Sequence, residues 1–286
     1  MKKKVKKIII IAVVVSALIA SVVVIVANYH NIYVFIETKG FFRTPLPIEK
    51  VAADGFCEYS LDVLKTDRRV SFDQSLMLVN TEYMLKEEFV PDVLEYKDTT
   101  VYMSKCMLDA YASLSAAVSE KTGKKLYVSS DLRTKEEQEA LYAEDPLTAT
   151  VPGASEHQTG LALDVYVAYY AGDAFIKSPS GRFVNSHAHE YGFIIRYPSY
   201  AEGVTGIRFE PWHIRYVGRP HSDAIYRNHT TLEEYIESLE IGKWYEVDGY
   251  LVSRQGADGT FILPENFESC TVSPDNTGCY IVTVDQ

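Results

Sequence analysis

The stretch SEHQTGLALDVY, residues 155–166, places two metal-capable side chains, His157 and Asp164, seven positions apart. In a regular strand, an odd separation would direct these two side chains to opposite faces of the sheet. Thr159 and Gly160 interrupt the strand pattern between them, so His157 can project from a turn and Asp164 from the strand that follows. The stretch fits either a packed turn with an incidental histidine or one half of a metal site.

A second segment, EPWHIRYVG at residues 210–218, places another histidine close to a carboxylate. Glu210 and His213 are three positions apart, and a regular strand would again separate them onto opposite faces. Pro211 prevents that regularity, because it lacks an N–H and disfavours the helical backbone region for the residue before it. Both side chains can therefore approach a single point.

The four groups of these two segments match the needs of metal-assisted hydrolysis. Catalytic zinc takes three protein ligands and keeps a fourth position open for water, and hydrolysis needs a general base near that water. His157, Asp164 and His213 as ligands, with Glu210 as the base, satisfy both needs. The residues alone leave a second interpretation open, a buried histidine beside a salt-bridged aspartate.

Short elements are predicted around these segments. Apolar spacing indicates one helix within residues 102–122 and another within 131–145. Strand patterns cover residues 125–130, 161–170 and 207–218, and Pro211 divides the last of these into a strand pair. Helices and short strands that mix without a regular strand–helix alternation indicate the α+β class.

The N-terminus has the pattern of a membrane anchor. Five lysines occur in the first seven residues, and residues 8–27 then run without a charge. Twenty helical residues span about 30 Å, the thickness of the hydrocarbon core of a bilayer. This run is longer than the apolar region of about 7–15 residues in a cleaved signal peptide, which favours an uncleaved signal anchor. Lysines before the run and none directly after it predict a cytoplasmic N-terminus and an external remainder.

The predicted domain organisation follows from these patterns. It comprises a basic cytoplasmic tail (1–7), a transmembrane signal anchor (8–27), an extracellular stalk (28–72), a main domain (73–230) and a small β-rich C-terminal extension (231–286). Of the 28 basic residues, five precede the apolar run, which leaves 23 against 39 acidic residues. This excess of acidic residues in the predicted external part excludes nucleic acid as a partner.

The cysteines and the remaining histidines carry less information. The four cysteines form no CxxC pair, which excludes a zinc ribbon. Cys270 and Cys279 flank a turn-rich span, and a disulfide between them is permitted outside the cell, but the sequence leaves that pairing open. His221 has no neighbouring carboxylate-rich segment and is predicted to lie at the surface.

Four segments within residues 73–219 together resemble the VanY-type D-alanyl-D-alanine carboxypeptidase family, zinc peptidases that trim peptidoglycan stem peptides. They occur in the family's order: SSDLRTKEEQEALY, PGASEHQTGLALDV, HEYGFIIRYP and TGIRFEPWHIRYVG. The signatures S-x-H-x-x-G-x-A-x-D and E-x-W-H are the most specific. The resemblance implies a small α+β domain with a central antiparallel sheet, zinc (Zn2+) held by His157, Asp164 and His213, and Glu210 as the catalytic base.

The same resemblance implies three substrate contacts. Arg133 matches an arginine that helps to bind the substrate and the developing oxyanion, and Gln138 follows it at the family's usual offset. Ser155 matches a residue that contacts the terminal carboxylate of the substrate. Asp131 and Leu132 replace the glycine and tyrosine usual before this arginine, a departure that bears on specificity and not on the metal.

The N-terminal pattern and the resemblance together predict a membrane-anchored zinc D,D-carboxypeptidase, whose external domain removes the terminal D-Ala from stem peptides that end in D-Ala-D-Ala. Its predicted partners are peptidoglycan stem peptides and, through residues 8–27, the cell membrane; the sequence does not identify protein partners. An L,D-carboxypeptidase that trims D-Ala from tetrapeptide stems shares the scaffold and the motifs. A non-catalytic cell-wall-binding module would have lost Glu210 or a zinc ligand, and all four residues are present.

Overall fold

The computed structural model describes residues 2–97 and 99–285, and the chain divides into two compact units. The first unit ends at Phe42 and contains the helices α1 (Lys2–Ala27) and α2 (Tyr29–Lys39). In the described part of the chain, one stretch of helix, Ile9–Ala27, is long and apolar enough to cross a membrane, and it is not buried against other residues. The predicted N-terminal apolar helix is thereby confirmed.

The second unit begins at Arg43 and mixes helices with short strands. Its helices are α3 (Leu61–Thr66), α4 (Leu108–Thr122), α5 (Lys135–Glu144), α6 (Pro179–His187), α7 (Glu202–Thr205), α8 (His221–Asn228) and α9 (Leu232–Ser238). Its strands are β1 (Glu49–Val51), β2 (Phe56–Ser60), β3 (Val70–Phe72), β4 (Val93–Glu95), β5 (Tyr102–Ser104), β6 (Tyr127–Ser130), β7 (Ala162–Tyr166), β8 (Phe193–Ile195), β9 (His213–Tyr216), β10 (Trp244–Val247), β11 (Tyr250–Gly256), β12 (Thr260–Pro264), β13 (Ser269–Pro274) and β14 (Cys279–Asp285).

An antiparallel sheet with the strand order β6-β7-β9-β8 forms the centre of the unit. Alternate residues of a strand point to opposite faces, so Leu163, Val165 and Ile214 enter a buried apolar core together with residues of α4 and α6. Asp164 and His213 face away from that core, directly opposite each other on β7 and β9. This sheet confirms the predicted α+β class with a central antiparallel sheet.

A larger sheet, in the order β1-β10-β11-β14-β13-β3, joins the two ends of the second unit. Strand β1 pairs with β10, β2 pairs with β12 outside this sheet, and β3 lies parallel to β13. Residues 49–72 are therefore not a separate stalk, and residues 231–286 are not a separate extension, which differs from the prediction. Apolar side chains from both ends share one core: Leu64, Trp244, Phe261, Val272 and Val282. Local periodicity does not reveal such distant partners.

This sheet answers one question that the sequence leaves open and corrects one expectation about an individual residue. Cys270 on β13 lies opposite Val284, and Cys279 on β14 lies opposite Gly256. The register thus keeps Cys270 and Cys279 apart, and both thiols are free. His221 is buried rather than at the surface, with its two ring nitrogens 2.8 Å from Tyr235 Oη and 2.8 Å from Thr283 Oγ1. Burial lowers the pKa of His221 to about 3, so this imidazole is a neutral part of the core.

Candidate metal centre

His157 lies in a one-turn 3₁₀ helix, Glu156–Thr159, that leads into β7. The turn ends at Gly160 with a φ of 70°, and a Cβ at that position would lie 2.5 Å from Val93 Cγ1. Glycine is therefore required for both conformation and space. This break in the strand pattern lets His157 and Asp164 reach the same point, as the sequence predicts. Nδ1 of His157 is 2.8 Å from the Asp131 carbonyl oxygen, and its Nε2 is 3.5 Å from Asp164 Oδ1.

The second segment completes the cluster across the β7–β9 pair. Nδ1 of His213 lies 3.0 Å from Asp164 Oδ1. One potential ligand atom each from His157, Asp164 and His213 falls within 4.8 Å of the other two. Both imidazoles are buried and the carboxylate is partly exposed. Two imidazole nitrogens and one carboxylate oxygen form a donor set that suits a divalent transition metal such as zinc.

The charges at this cluster also favour a bound cation. Burial opposes ionisation of Asp164, but its bonds to His157 and His213 hold the pKa of this carboxyl below its ordinary value. Burial lowers the pKa of His157, which favours the neutral imidazole that a metal needs. Burial acts in the same direction on His213, but Asp164 and Glu156 outweigh it and raise the pKa of His213 to about 9. The carboxylates therefore attract positive charge to this point, either a proton or a metal ion.

Glu210 lies beside the cluster and outside it. Its N–H donates to the Tyr197 carbonyl oxygen at 3.0 Å, and its own carbonyl accepts the N–H of His213 at 3.1 Å. Its Oε2 is 3.9 Å from His213 Nδ1. Burial raises the pKa of Glu210, which brings this carboxylate closer to the range in which a general base works. Residues 207–212 form no strand, so the predicted strand pair over 207–218 is reduced to β9.

Arg133 is attached to the same cluster through its backbone. Its N–H donates to the His157 carbonyl oxygen at 3.1 Å, and its guanidinium donates to Gln138 Oε1 at 2.7 Å and Ser130 Oγ at 2.8 Å. Gln138 is fully buried, and its amide nitrogen donates to the Thr150 carbonyl oxygen at 2.6 Å. Both ends of the Gln138 amide are thus in use. Gln138 holds Arg133 in position, which differs from the predicted direct contact with substrate.

Ser155 lies two residues before His157, and a cavity opens beside Arg133. Ser155 directly precedes the 3₁₀ helix that carries His157, and its Oγ has no hydrogen-bond partner among residues 2–97 and 99–285. A cavity of about 280 Å³ opens next to Arg133 and is also lined by Phe89 and Gln158. Ser155 and Arg133 are thus both connected to His157 through the backbone, and their contact with substrate stays a prediction.

The architecture and the cluster can be compared with known proteins. A family model described as VanY, D-alanyl-D-alanine carboxypeptidase, matches residues 100–219. A D-alanyl-D-alanine carboxypeptidase of Enterococcus faecium is 30% identical over 285 residues, which cover 90% of this chain and 90% of the relative. This chain belongs to the VanY family.

Two solved structures relate the fold of this VanY-family chain to others. The D,D-dipeptidase VanXYg, in complex with a D-Ala-D-Ala phosphinate analog, is 25% identical with a TM-score of 0.62, over 81% of this chain and 98% of that one. The LD-carboxypeptidase LdcB is 33% identical with a TM-score of 0.52, over 57% of this chain and 86% of that one. Both proteins share the fold. Their names specify different activities, that of a D,D-dipeptidase and that of an LD-carboxypeptidase.

One buried residue of this VanY-family chain was missed by the sequence analysis. Glu156 occupies a variable position of the S-x-H signature, and its side chain is completely buried. Its Oε1 accepts hydrogen bonds from Arg196 Nε at 2.7 Å and from Arg215 Nη1 at 2.5 Å. The available signal was the presence of two arginines within strongly apolar strand segments, since buried charges are rarely unpaired.

Proposed function

We propose that this chain is a zinc D,D-carboxypeptidase, which hydrolyses the last peptide bond of stem peptides that end in D-Ala-D-Ala. The observation that carries the proposal is the convergence of His157, Asp164 and His213 within 4.8 Å, with Glu210 Oε2 3.9 Å from His213. Membership of the VanY family supports the substrate class.

The residues of the site have separate roles in the reaction. His157, Asp164 and His213 would hold zinc, which when bound supplies a Lewis acid that polarises the scissile carbonyl and acidifies water. Glu210 takes the proton of the attacking water and returns it to the departing D-alanine nitrogen. Its burial supports this role, because the raised pKa of Glu210 makes its carboxylate a stronger base toward the attacking water.

Recognition of a free carboxylate would make the enzyme an exopeptidase. Arg133 uses two guanidinium N–H groups on Gln138 and Ser130, and a guanidinium has five such donors. The remaining donors and the hydroxyl of Ser155 are available to the terminal carboxylate of a peptide or to the oxyanion that forms at its carbonyl. Because Gln138 and Ser130 fix the guanidinium, little side-chain entropy is lost when a substrate binds.

Amidation of the terminal residue of a D-Ala-D-Ala pentapeptide should lower kcat/KM by at least roughly tenfold. The amide cannot form the charge-assisted pair with Arg133 and Ser155, and leaving their donors unpaired costs about 1–3 kcal/mol of binding free energy. Mass spectrometry of the shortened peptide, which is the product common to the free acid and the amide, measures this ratio. The same peptide ending in L-Ala-L-Ala is the stereochemical control and should not be cleaved. Equal cleavage of the free acid and the amide would contradict carboxylate anchoring and indicate an endopeptidase.

The similarity to LdcB supports a second candidate, an L,D-carboxypeptidase that removes D-Ala from tetrapeptide stems. The metal cluster, Glu210 and Arg133 would serve this reaction equally, because the two substrates differ in the residue before the scissile bond. Parallel assays of tetrapeptide and pentapeptide stems distinguish the two. Cleavage of the tetrapeptide alone would replace the D,D assignment by the L,D assignment.

We further propose that α1 is a single membrane span, with the second unit outside the cytoplasm. The exposed apolar surface of Ile9–Ala27 and the lysines that precede it support this arrangement. The full chain should fractionate with membranes, and protease added to spheroplasts should digest residues 43–286. A cytoplasmic marker protein should survive the same treatment until detergent is added. Protection of residues 43–286 in intact spheroplasts would reverse the proposed orientation.

A further inference from the structure

Glu156 is a buried carboxylate that uses only one of its two oxygens. Its Oε1 accepts from Arg196 and Arg215, whose side chains are 1% and 0% exposed. Its Oε2 is buried and has no hydrogen-bond partner among the described residues. Two guanidinium groups on one oxygen keep the carboxylate charged and fix its orientation. The second oxygen, Oε2, is therefore held in a fixed orientation.

The neighbour of this oxygen is a metal-cluster histidine. Nε2 of His213 lies 3.7 Å from Glu156 Oε2, and within the described part of the chain it is likewise buried without a partner. This separation is longer than a hydrogen bond. Buried polar atoms are nearly always paired, so two facing atoms that both lack a partner indicate a contact that forms in another state of the site.

The tautomer that a bound metal would impose on His213 identifies that state as the metal-bound one. Nδ1 of His213 is the nitrogen that faces Asp164, at 3.0 Å. An imidazole that binds a metal through Nδ1 carries its proton on Nε2, and this N–H points toward Glu156. Histidines that bind metals almost always donate their other N–H to a carboxylate or a carbonyl. His157 already has such a partner, the Asp131 carbonyl oxygen at 2.8 Å.

We propose that Glu156 is the positioning residue of His213: it accepts the Nε2–H and thereby holds Nδ1 toward the metal. The inference rests on the proposed zinc site and adds a residue that supports it. Arg196 has a second carboxylate partner, because it also donates to Glu233 of α9, at 2.9 Å and 2.5 Å. Glu233 does not face His213 and is no part of the proposed contact.

The first test uses the unaltered protein loaded with zinc. Long-range ¹H–¹⁵N correlation of the histidine rings should show His213 bound through Nδ1, with a protonated Nε2 whose hydrogen exchanges slowly with solvent. Zinc bound through Nε2 of His213 would overturn the positioning role alone. Failure of the protein to bind stoichiometric zinc would overturn the proposed metal function and this inference with it, so the two failures are distinguishable.

The second test compares two carboxylates that share Arg196. Glu156→Gln should weaken zinc binding by roughly 10–100-fold, measured by chelator competition, and should shift the visible absorption spectrum of the cobalt-substituted protein. Glu233→Gln is the matched control, since Glu233 pairs with Arg196 but does not face His213. It should lower the Tm of the metal-free protein and leave the cobalt spectrum unchanged.

A role of Glu156 in stability alone predicts a different pattern. Both variants would then lower the Tm of the metal-free protein, and neither would change the zinc affinity or the cobalt spectrum, a result that would overturn the proposal. Glu156→Gln leaves two buried arginines with a weaker partner and can fail to fold. In that case the histidine ring correlations of the unaltered protein decide, because they require no substitution.

Discussion

Replacement of Glu210 by alanine is expected to leave zinc bound at a near-stoichiometric level and to lower kcat by about 10²–10⁴, the usual contribution of a general base. This corresponds to roughly 3–5 kcal/mol of activation free energy. The reason is geometric: Glu210 Oε2 is 3.9 Å from His213 Nδ1, and Glu210 is not one of the three residues whose ligand atoms cluster within 4.8 Å. Elemental analysis of dialysed protein gives the zinc content, and release of D-alanine gives kcat.

Asp173 offers a matched control for Glu210. Its carboxylate is exposed and pairs with Arg208 at 2.7 Å, and its charge affects the pKa of Glu210 less than burial or His213 does. Asp173→Ala should therefore retain both zinc and turnover. Loss of zinc from Glu210→Ala would contradict the assignment and make Glu210 a ligand, in which case Asp164 would need another role.

Removal of either histidine of the cluster should have a larger effect than Glu210→Ala, because both zinc and activity are lost. His157→Ala and His213→Ala each leave one nitrogen and one carboxylate oxygen, which is too few donors to retain zinc through dialysis. Turnover should fall at least as far as in Glu210→Ala, because the Lewis acid and the bound water disappear together. Zinc content and D-alanine release are measured on protein whose circular dichroism matches that of the unaltered chain.

His187 is the control for this pair. It is exposed and pairs with Glu190 at 2.8 Å, away from the cluster, so His187→Ala should keep zinc and activity. Full zinc occupancy in His157→Ala or His213→Ala would contradict the ligand set. Because His157 Nδ1 and His213 Nδ1 have different surroundings, the two variants also test each half of the site independently.

Local chemistry made each half of the cluster predictable from the sequence. Gly160 breaks the strand between His157 and Asp164, and Pro211 breaks the segment between Glu210 and His213; both breaks are present in the structure. The meeting of the two halves depends on the pairing of β7 with β9, in which Asp164 lies opposite His213. Strand register is a nonlocal property, so the convergence could be inferred only through the resemblance to a family.

Other features stayed beyond sequence reasoning for the same physical reason. The short apolar runs of residues 49–72 have partners about two hundred positions later in the chain, and periodicity indicates which face of a strand is buried but not what covers it. The burial of Gln138 behind Arg133 depends on a contact with Thr150. Glu156 lies at a position that the motif leaves variable, and its two arginine partners come from different strand segments.

The parallel pairing of β3 with β13, in which Val70 lies beside Cys270, sets an order of events during synthesis. A ribosome releases the N-terminal strands first, and they have no partner until the last strands of the chain have emerged. Contacts so distant in sequence close slowly and leave strand edges exposed in the meantime. Glu233, which anchors Arg196, also emerges late. A chain that ends before β13 therefore carries every side chain of the candidate site, while the strand that pairs with β3 is still missing.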